Sequence, residues 1–170
     1  MLNNVVGALV RAANGVGVAA LRFNFRGVGG SEGSYDAGKG EQDDARAALG
    51  CLRAQAEIDA SRTGMAGYSF GATVAINVTS GRDDLACLVA VSAPTARGKK
   101  VEVQLRCPAI FVSGDRDEYC DTGLLAEYAP QMGDAVEVAV MEGVDHFWWG
   151  SDGRLIEAVQ GFLVRTVLAG

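Results

Sequence analysis

The sequence is short of several things that would mark other kinds of protein. It contains a single histidine, and its four cysteines, Cys51, Cys87, Cys107 and Cys120, are widely spaced with no C-x-x-C pair, so no zinc ligand set is expected. The same spacing, without secretory context, favours reduced thiols over a disulfide framework, and the cytoplasm is the expected location in the absence of a leader in the opening residues. Basic clusters are scarce: none exceeds the turn Arg97-Gly98-Lys99-Lys100, and with a net charge of -6 and a pI near 4.7 nucleic acid is not an expected partner. Long apolar runs are missing too. The opening residues MLNNVVGALVRAANG carry no cationic leader and are interrupted by Asn and Gly, so they read as neither a signal peptide nor a membrane span, and no membrane partner is expected.

What is present suits one globular domain over residues 1–170. The chain is 49% hydrophobic and 21% charged, enough for one sizeable core. Only 3 prolines stand against 23 scattered glycines, as expected where tight loops join alternating strands and helices.

Leu2, Val5, Val6, Leu9, Val10 and Ala13 recur at helical spacing before a left-handed stop expected at Asn14-Gly15. Val16 to Phe25 reads as a buried strand, and Glu41 to Gln55 as a helix with Ala45, Leu49 and Leu52 inward. Further strands are expected at Thr63 to Tyr68, Leu85 to Ser92, Cys107 to Ser113 and Ala135 to Met141, with helices over Gly71 to Thr79 and Thr122 to Gln131 and a closing helix carrying Leu155 to Val167. About five continuous apolar strands alternating with helices imply an α/β fold, a mainly parallel sheet covered on both faces. The connections Thr79 to Leu85 and Ser92 to Cys107 are too short for a separate lid domain.

The chemistry gathers where such sheets place it, beyond the carboxyl ends of the strands. Gly67-Tyr68-Ser69-Phe70-Gly71 is a G-x-S-x-G pentapeptide between an apolar strand and an amphipathic helix, a pattern that puts one serine at the apex of a strained turn. Gly114-Asp115-Arg116-Asp117 follows a later strand, and Gly143-Val144-Asp145-His146 follows the last. A hydroxyl, then a carboxylate, then an imidazole is what nucleophilic acyl chemistry requires. Asp115 competes with Asp117 for the acid role, while Asp145 reads as a loop acceptor. Cys120 has no histidine left to activate it. Gly33 to Lys39 is a near miss to a phosphate-binding loop, with Gly40 where the magnesium-binding hydroxyl belongs.

RFNFRGVGGSEG (Arg22 to Gly33), GYSFG, SGDRDEYCD (Ser113 to Asp121) and GVDHFWWG (Gly143 to Gly150) together resemble the serine hydrolases of the α/β-hydrolase superfamily, in the branch of small dienelactone-hydrolase-like and peptidase-like esterases. The likeness runs from Leu2 to the C-terminus and implies a minimal α/β-hydrolase fold. By position it implies Ser69 as nucleophile, Asp117 as acid, His146 as base and the Phe70 N–H as an oxyanion donor. Arg26, Tyr68, Phe147 and Trp148 are the candidates for contacting substrate; of the adjacent Trp148 and Trp149, at least one is expected near the cleft or an interface.

The expected activity is hydrolysis of small, short-acyl carboxylic esters through an acyl-enzyme, with no cofactor. Family members carry a strand and a loop before the first helix seen here, and that loop supplies a second oxyanion N–H. Loss of such a donor costs ~100- to 1000-fold in turnover. A weak esterase is therefore expected unless oligomerisation or the Arg26 to Gly30 loop replaces it. A free strand edge at Val16 to Phe25 favours a homodimer. The alternative is a catalytically impaired hydrolase-fold protein that binds a small molecule or a protein.

Overall fold

The computed structural model describes residues 3–97 and 102–169; Leu2, the C-terminal Gly170 and most of the basic turn, Gly98 to Lys100, lie outside the described residues. Helix α1 (Asn4–Gly15) starts where the Asn3 side chain accepts the Val6 N–H, which satisfies one of the orphan amides of the first turn. The left-handed residue that follows it is Gly17, at φ +78°, rather than the expected Asn14-Gly15 pair. Helix α2 (Gly40–Arg53) has Glu41 and Asp43 in its first turn and Arg53 in its last, the charge order that complements its dipole.

Four parallel strands follow, β1 (Met65–Tyr68), β2 (Leu88–Val91), β3 (Ala109–Gly114) and β4 (Val136–Met141), ordered β1-β2-β3-β4 in one sheet. Helix α3 (Phe70–Thr79) connects β1 to β2, and α4 (Thr122–Met132) connects β3 to β4. Helix α5 (Asp152–Leu163) closes the fold and runs into a π-helical turn over Val164–Leu168.

Side chains alternate across the central strands. Val89 and Val91 of β2 and Ile110 and Val112 of β3 face the cluster built with α1 and α5, whereas Leu88, Ala90, Ala109 and Phe111 face the cluster built with α3 and α4. This two-sided burial is why these strands read as unbroken apolar runs. Full burial of Phe111, Trp148 and Phe162 contributes about 1.5–3 kcal/mol for each such side chain.

The expectation of about five strands is corrected to four among the described residues. Residues 18–25 form neither helix nor strand. An apolar cleft of about 570 Å³, lined by Leu9, Val18, Phe23, Leu49, Met65 and Leu163 among others, separates this segment from the free edge of β1. Apolar, β-branched composition favours an extended backbone, but a strand exists only where a neighbour completes its ladder.

Candidate active site

The turn between β1 and α3 is tight for a steric reason. A Cβ on Gly67 would lie 2.2 Å from the Gly71 carbonyl oxygen, so only glycine lets strand and helix pass. Gly71 is under no such constraint, since its nearest neighbour would be 3.9 Å away. Ser69 sits between them at φ +51°, ψ -118°, a strained position for a residue with a side chain. Its N–H donates to Val91 O of β2 at 2.9 Å, and its own C=O accepts from Ala72 N–H at 2.9 Å, locking the turn to both sheet and helix. The Phe70 amide lies in the first turn of α3, where a helix has no partners for its N–H groups and carries partial positive charge.

Three loops bring Ser69, His146 and Asp117 together. His146 Nε2 lies 3.0 Å from Ser69 Oγ, and Nδ1 lies 2.9 and 3.0 Å from the two oxygens of Asp117. Asp117 Oδ1 also accepts the Tyr119 N–H at 2.9 Å and the Cys120 N–H at 3.1 Å, and Ser113 Oγ donates to Oδ2 at 3.3 Å. With its side chain fully buried, this carboxylate has hydrogen bonds on both oxygens, which is what makes a buried charge tolerable. Asp115 is exposed, and its Oδ1 accepts the Gly143 N–H at 2.7 Å, so Asp117 rather than Asp115 meets the imidazole.

The histidine loop is anchored along its length. Arg116 N–H donates to Val144 O at 3.0 Å, and Gly114 lacks a Cβ where one would lie 1.9 Å from that same oxygen. Asp145 Oδ1 accepts the N–H groups of Phe147 and Trp148. Tyr68 O–H donates to the His146 carbonyl at 2.9 Å; burial first, then the charges of Asp117 and Asp145, push this phenol's pKa up, which keeps the donating proton in place. The Tyr119 ring is tilted at 57° against the imidazole, 4.6 Å between ring centroids, and Tyr119 is 53% exposed, while Phe147 meets the imidazole edge-on at 5.7 Å.

Two residues expected to contact substrate are placed elsewhere. Trp148 is completely buried and its indole N–H donates to Ser92 Oγ, while Trp149 is 75% exposed. Two successive residues of one loop point opposite ways, and the larger apolar gain goes to the one that enters the core. Arg26 is committed to Asp44: its Nη2 and Nε donate to Asp44 Oδ1 at 2.8 and 3.2 Å, and its own backbone N–H donates to Oδ2. That side-chain pairing holds the Asp44 carboxyl below its usual range and raises the guanidinium.

Phe147 stays half exposed at the rim, and the Tyr68 ring lies beside the imidazole with its hydroxyl turned to the backbone. The Gly27 and Val28 amides of the glycine-rich loop are taken by Glu32 O and Phe25 O, so neither serves as an oxyanion donor.

Around Gly33 to Lys39, carboxylates occupy the amides a phosphate would need. Asp36 and Gly38 N–H donate to Glu41, and Gly40 N–H donates to Asp36. Cys120 is buried, and burial pushes its thiol up, away from thiolate. Among the described residues no group of three or more His, Cys, Asp or Glu side chains could hold a metal ion, and no helix is long and apolar enough to cross a membrane. Sequence reasoning missed Ser113, Ser92 and Tyr119. Each is an ordinary residue of its type, and only its position at the end of a folded strand or loop brings it to the site.

Residues 10–109 match the family model described as X-Pro dipeptidyl-peptidase (S15 family). Among solved structures, an alpha-beta serine hydrolase homologue from Coxiella burnetii is 34% identical with a TM-score of 0.87, over 96% of this chain and 77% of that one. A serine hydrolase without lid from Xanthomonas campestris is 33% identical with a TM-score of 0.87, over 97% of this chain and 74% of that one. An uncharacterised protein of Rickettsia prowazekii is 29% identical over 157 residues, 87% of this chain and 66% of the relative. The chain thus spans 66% of the length of the curated relatives it matches. With a family match over more than half its residues and a fold shared with serine hydrolases a third identical to it, the chain belongs to the S15 peptidase family and, with it, to the α/β-hydrolase superfamily.

Proposed function

We propose that the protein is a serine hydrolase acting on small, short-acyl carboxylic esters. The single observation that carries this reading is the continuous hydrogen-bonded chain from Ser69 Oγ through His146 to the buried Asp117 carboxylate, with links of 3.0 and 2.9 Å. Ser69 Oγ attacks the ester carbonyl carbon while its proton passes to His146 Nε2. The carbonyl oxygen becomes an oxyanion that the Phe70 N–H stabilises at the positive end of α3. His146 then gives the proton to the departing alkoxide, leaving an acyl-Ser69 ester, and water repeats the sequence to release the acid. Asp117 holds the imidazole with Nδ1–H toward itself, so that Nε2 is free to accept. This chemistry calls for no cofactor.

The short-acyl preference follows from the absence of a lid-sized insertion in the described β1-to-β2 connection and from the exposed rim at Tyr119 and Phe147. The family match favours a second reading, cleavage of a peptide bond after proline. A fluorophosphonate probe followed by peptide mapping tests the nucleophile: Ser69 is labelled, and the label is lost in His146→Ala. Hydrolysis of p-nitrophenyl esters of increasing acyl length, run beside an X-Pro p-nitroanilide, tests the substrate class. Turnover peaking at long chains, or found only on the anilide, overturns the short-acyl ester assignment. Equal ester turnover by Ser69→Ala points instead to a binding module on a hydrolase fold.

A further inference from the structure

Four described residues other than glycine have positive φ: Ala37, Ser69, Ser92 and Trp148. A bulky side chain in this region is an outlier that persists only where its surroundings over-determine it. Ser92, at φ +49°, immediately follows β2, and Trp148, at φ +60°, lies two residues beyond His146. Both are completely buried, and the Trp148 Nε1–H donates to Ser92 Oγ at 2.9 Å. Two strained backbones on different elements thus meet in one buried hydrogen bond.

That bond closes a ring around the reacting pair. Ser69 N–H is held by Val91 O at 2.9 Å; Val91 is joined to Ser92; Ser92 accepts from Trp148; and Trp148 leads back to His146, whose Nε2 lies 3.0 Å from Ser69 Oγ. Ser92 is also tied to β3, its N–H donating to Val112 O at 2.8 Å, and the Trp148 ring is packed in the core cluster with Val144, Leu155 and Phe162. The histidine loop is therefore gripped from three strands: by Tyr68 of β1 at the His146 carbonyl, by Ser92 at the end of β2 through Trp148, and by Asp117 beyond β3 at the imidazole.

We propose that Ser92 and Trp148 are positioning residues, a buried strut that fixes the reach of the His146 imidazole to the Ser69 hydroxyl. The proposal rests on Ser69 and His146 being the reacting pair. A displacement of about 1 Å between such groups can cost about 100-fold in rate, so removing the strut lowers kcat while leaving KM, set by rim contacts, nearly unchanged.

The test compares Ser92→Ala, Trp148→Phe and the double variant by kcat, KM and thermal midpoint. It adds the NMR resonances of the imidazole, which need no assignment because the chain has one histidine. Each single variant leaves one buried polar group without its partner and lowers the thermal midpoint; the double variant removes both groups and recovers part of that loss. A positioning role predicts that kcat stays at least about 10-fold down in all three, including the restabilised double variant, with the imidazole resonances shifted or broadened. Recovery of kcat in step with the thermal midpoint, or unchanged kcat and unchanged imidazole resonances in Ser92→Ala, overturns the proposal. Should the wild-type protein show no Ser69-dependent turnover, the ester reading falls, and the imidazole resonances alone decide the strut, unmoved signals rejecting it. If Trp148→Phe does not fold, Ser92→Ala decides the matter.

Discussion

Replacing Asp117 by Asn changes one atom and reverses one hydrogen bond. The Oδ1 position is surrounded by donors, the Tyr119 N–H at 2.9 Å and the Cys120 N–H at 3.1 Å, and only an oxygen fits there. The amide nitrogen of Asn therefore falls at the Oδ2 position, 3.0 Å from His146 Nδ1 and 3.3 Å from Ser113 Oγ, which can turn to accept. Oδ1 still lies 2.9 Å from Nδ1, but the NH2 now 3.0 Å from the same nitrogen repels an Nδ1–H and favours the tautomer with the proton on Nε2. In the proposed mechanism that nitrogen takes the Ser69 proton, so the base is disabled without being moved.

The same exchange in a serine-histidine-aspartate constellation costs ~10,000-fold in kcat, or ~5 kcal/mol of transition-state stabilisation. KM should hold, because the Asp117 side chain is buried behind the imidazole. Steady-state hydrolysis of p-nitrophenyl acetate reads the loss, and a thermal melt verifies that the variant is folded. The partner variant Asp115→Asn, which alters only the exposed bond to the Gly143 N–H, should keep turnover close to wild type. If Asp117→Asn retains kcat within about tenfold of wild type, the tautomer argument and the acid assignment both fail.

The two glycines of the pentapeptide should separate cleanly. Gly67→Ala forces a Cβ to within 2.2 Å of backbone and should cost ~1–3 kcal/mol or more in denaturant unfolding, whereas Gly71→Ala meets nothing nearer than 3.9 Å and should fold normally. Thiol titration should find Cys51 reactive in the native protein and Cys87, Cys107 and Cys120 only after unfolding, since those three are buried and Cys87 is pushed up to about 12 by burial. Asp84 is held down to about 2, first by its hydrogen bond from Arg53 and then by that from Arg82. Its folded value lies below the unfolded one, near ~3.9, so its contribution is present above that pH and lost as pH falls toward 2. Acid titration of stability should be shallower over that range in Asp84→Asn, and the difference should shrink in high salt because the pair is half exposed.

Local patterns in the chain determined a good deal. Apolar spacing located the first and last of the five α-helices among the described residues, the alternation of strand and helix located the others to within a few residues, and unbroken apolar runs located the four strands that pair, because burial on two faces leaves its mark on every residue of a strand. The serine turn was equally legible, since Gly67 records a contact between residues four apart. What crosses long stretches of chain was not. Val16 to Phe25 has the composition of a strand, yet no strand among the described residues pairs with it, a property of its neighbours and not of itself.

Asp115 and Asp117 are chemically equivalent in sequence; the turn after β3 directs one at the Gly143 amide and the other at the imidazole. Trp148 and Trp149 are adjacent and identical, yet Trp148, at φ +60°, is buried in the core and bonded to Ser92 while its neighbour faces water. Side-chain chemistry can be read one residue at a time, but the direction in which a loop residue points is set by packing among elements far apart in the chain. That is why the sequence put forward a serine, a histidine and two competing aspartates, while the tertiary structure shows which carboxylate meets the imidazole and which tryptophan is buried behind it.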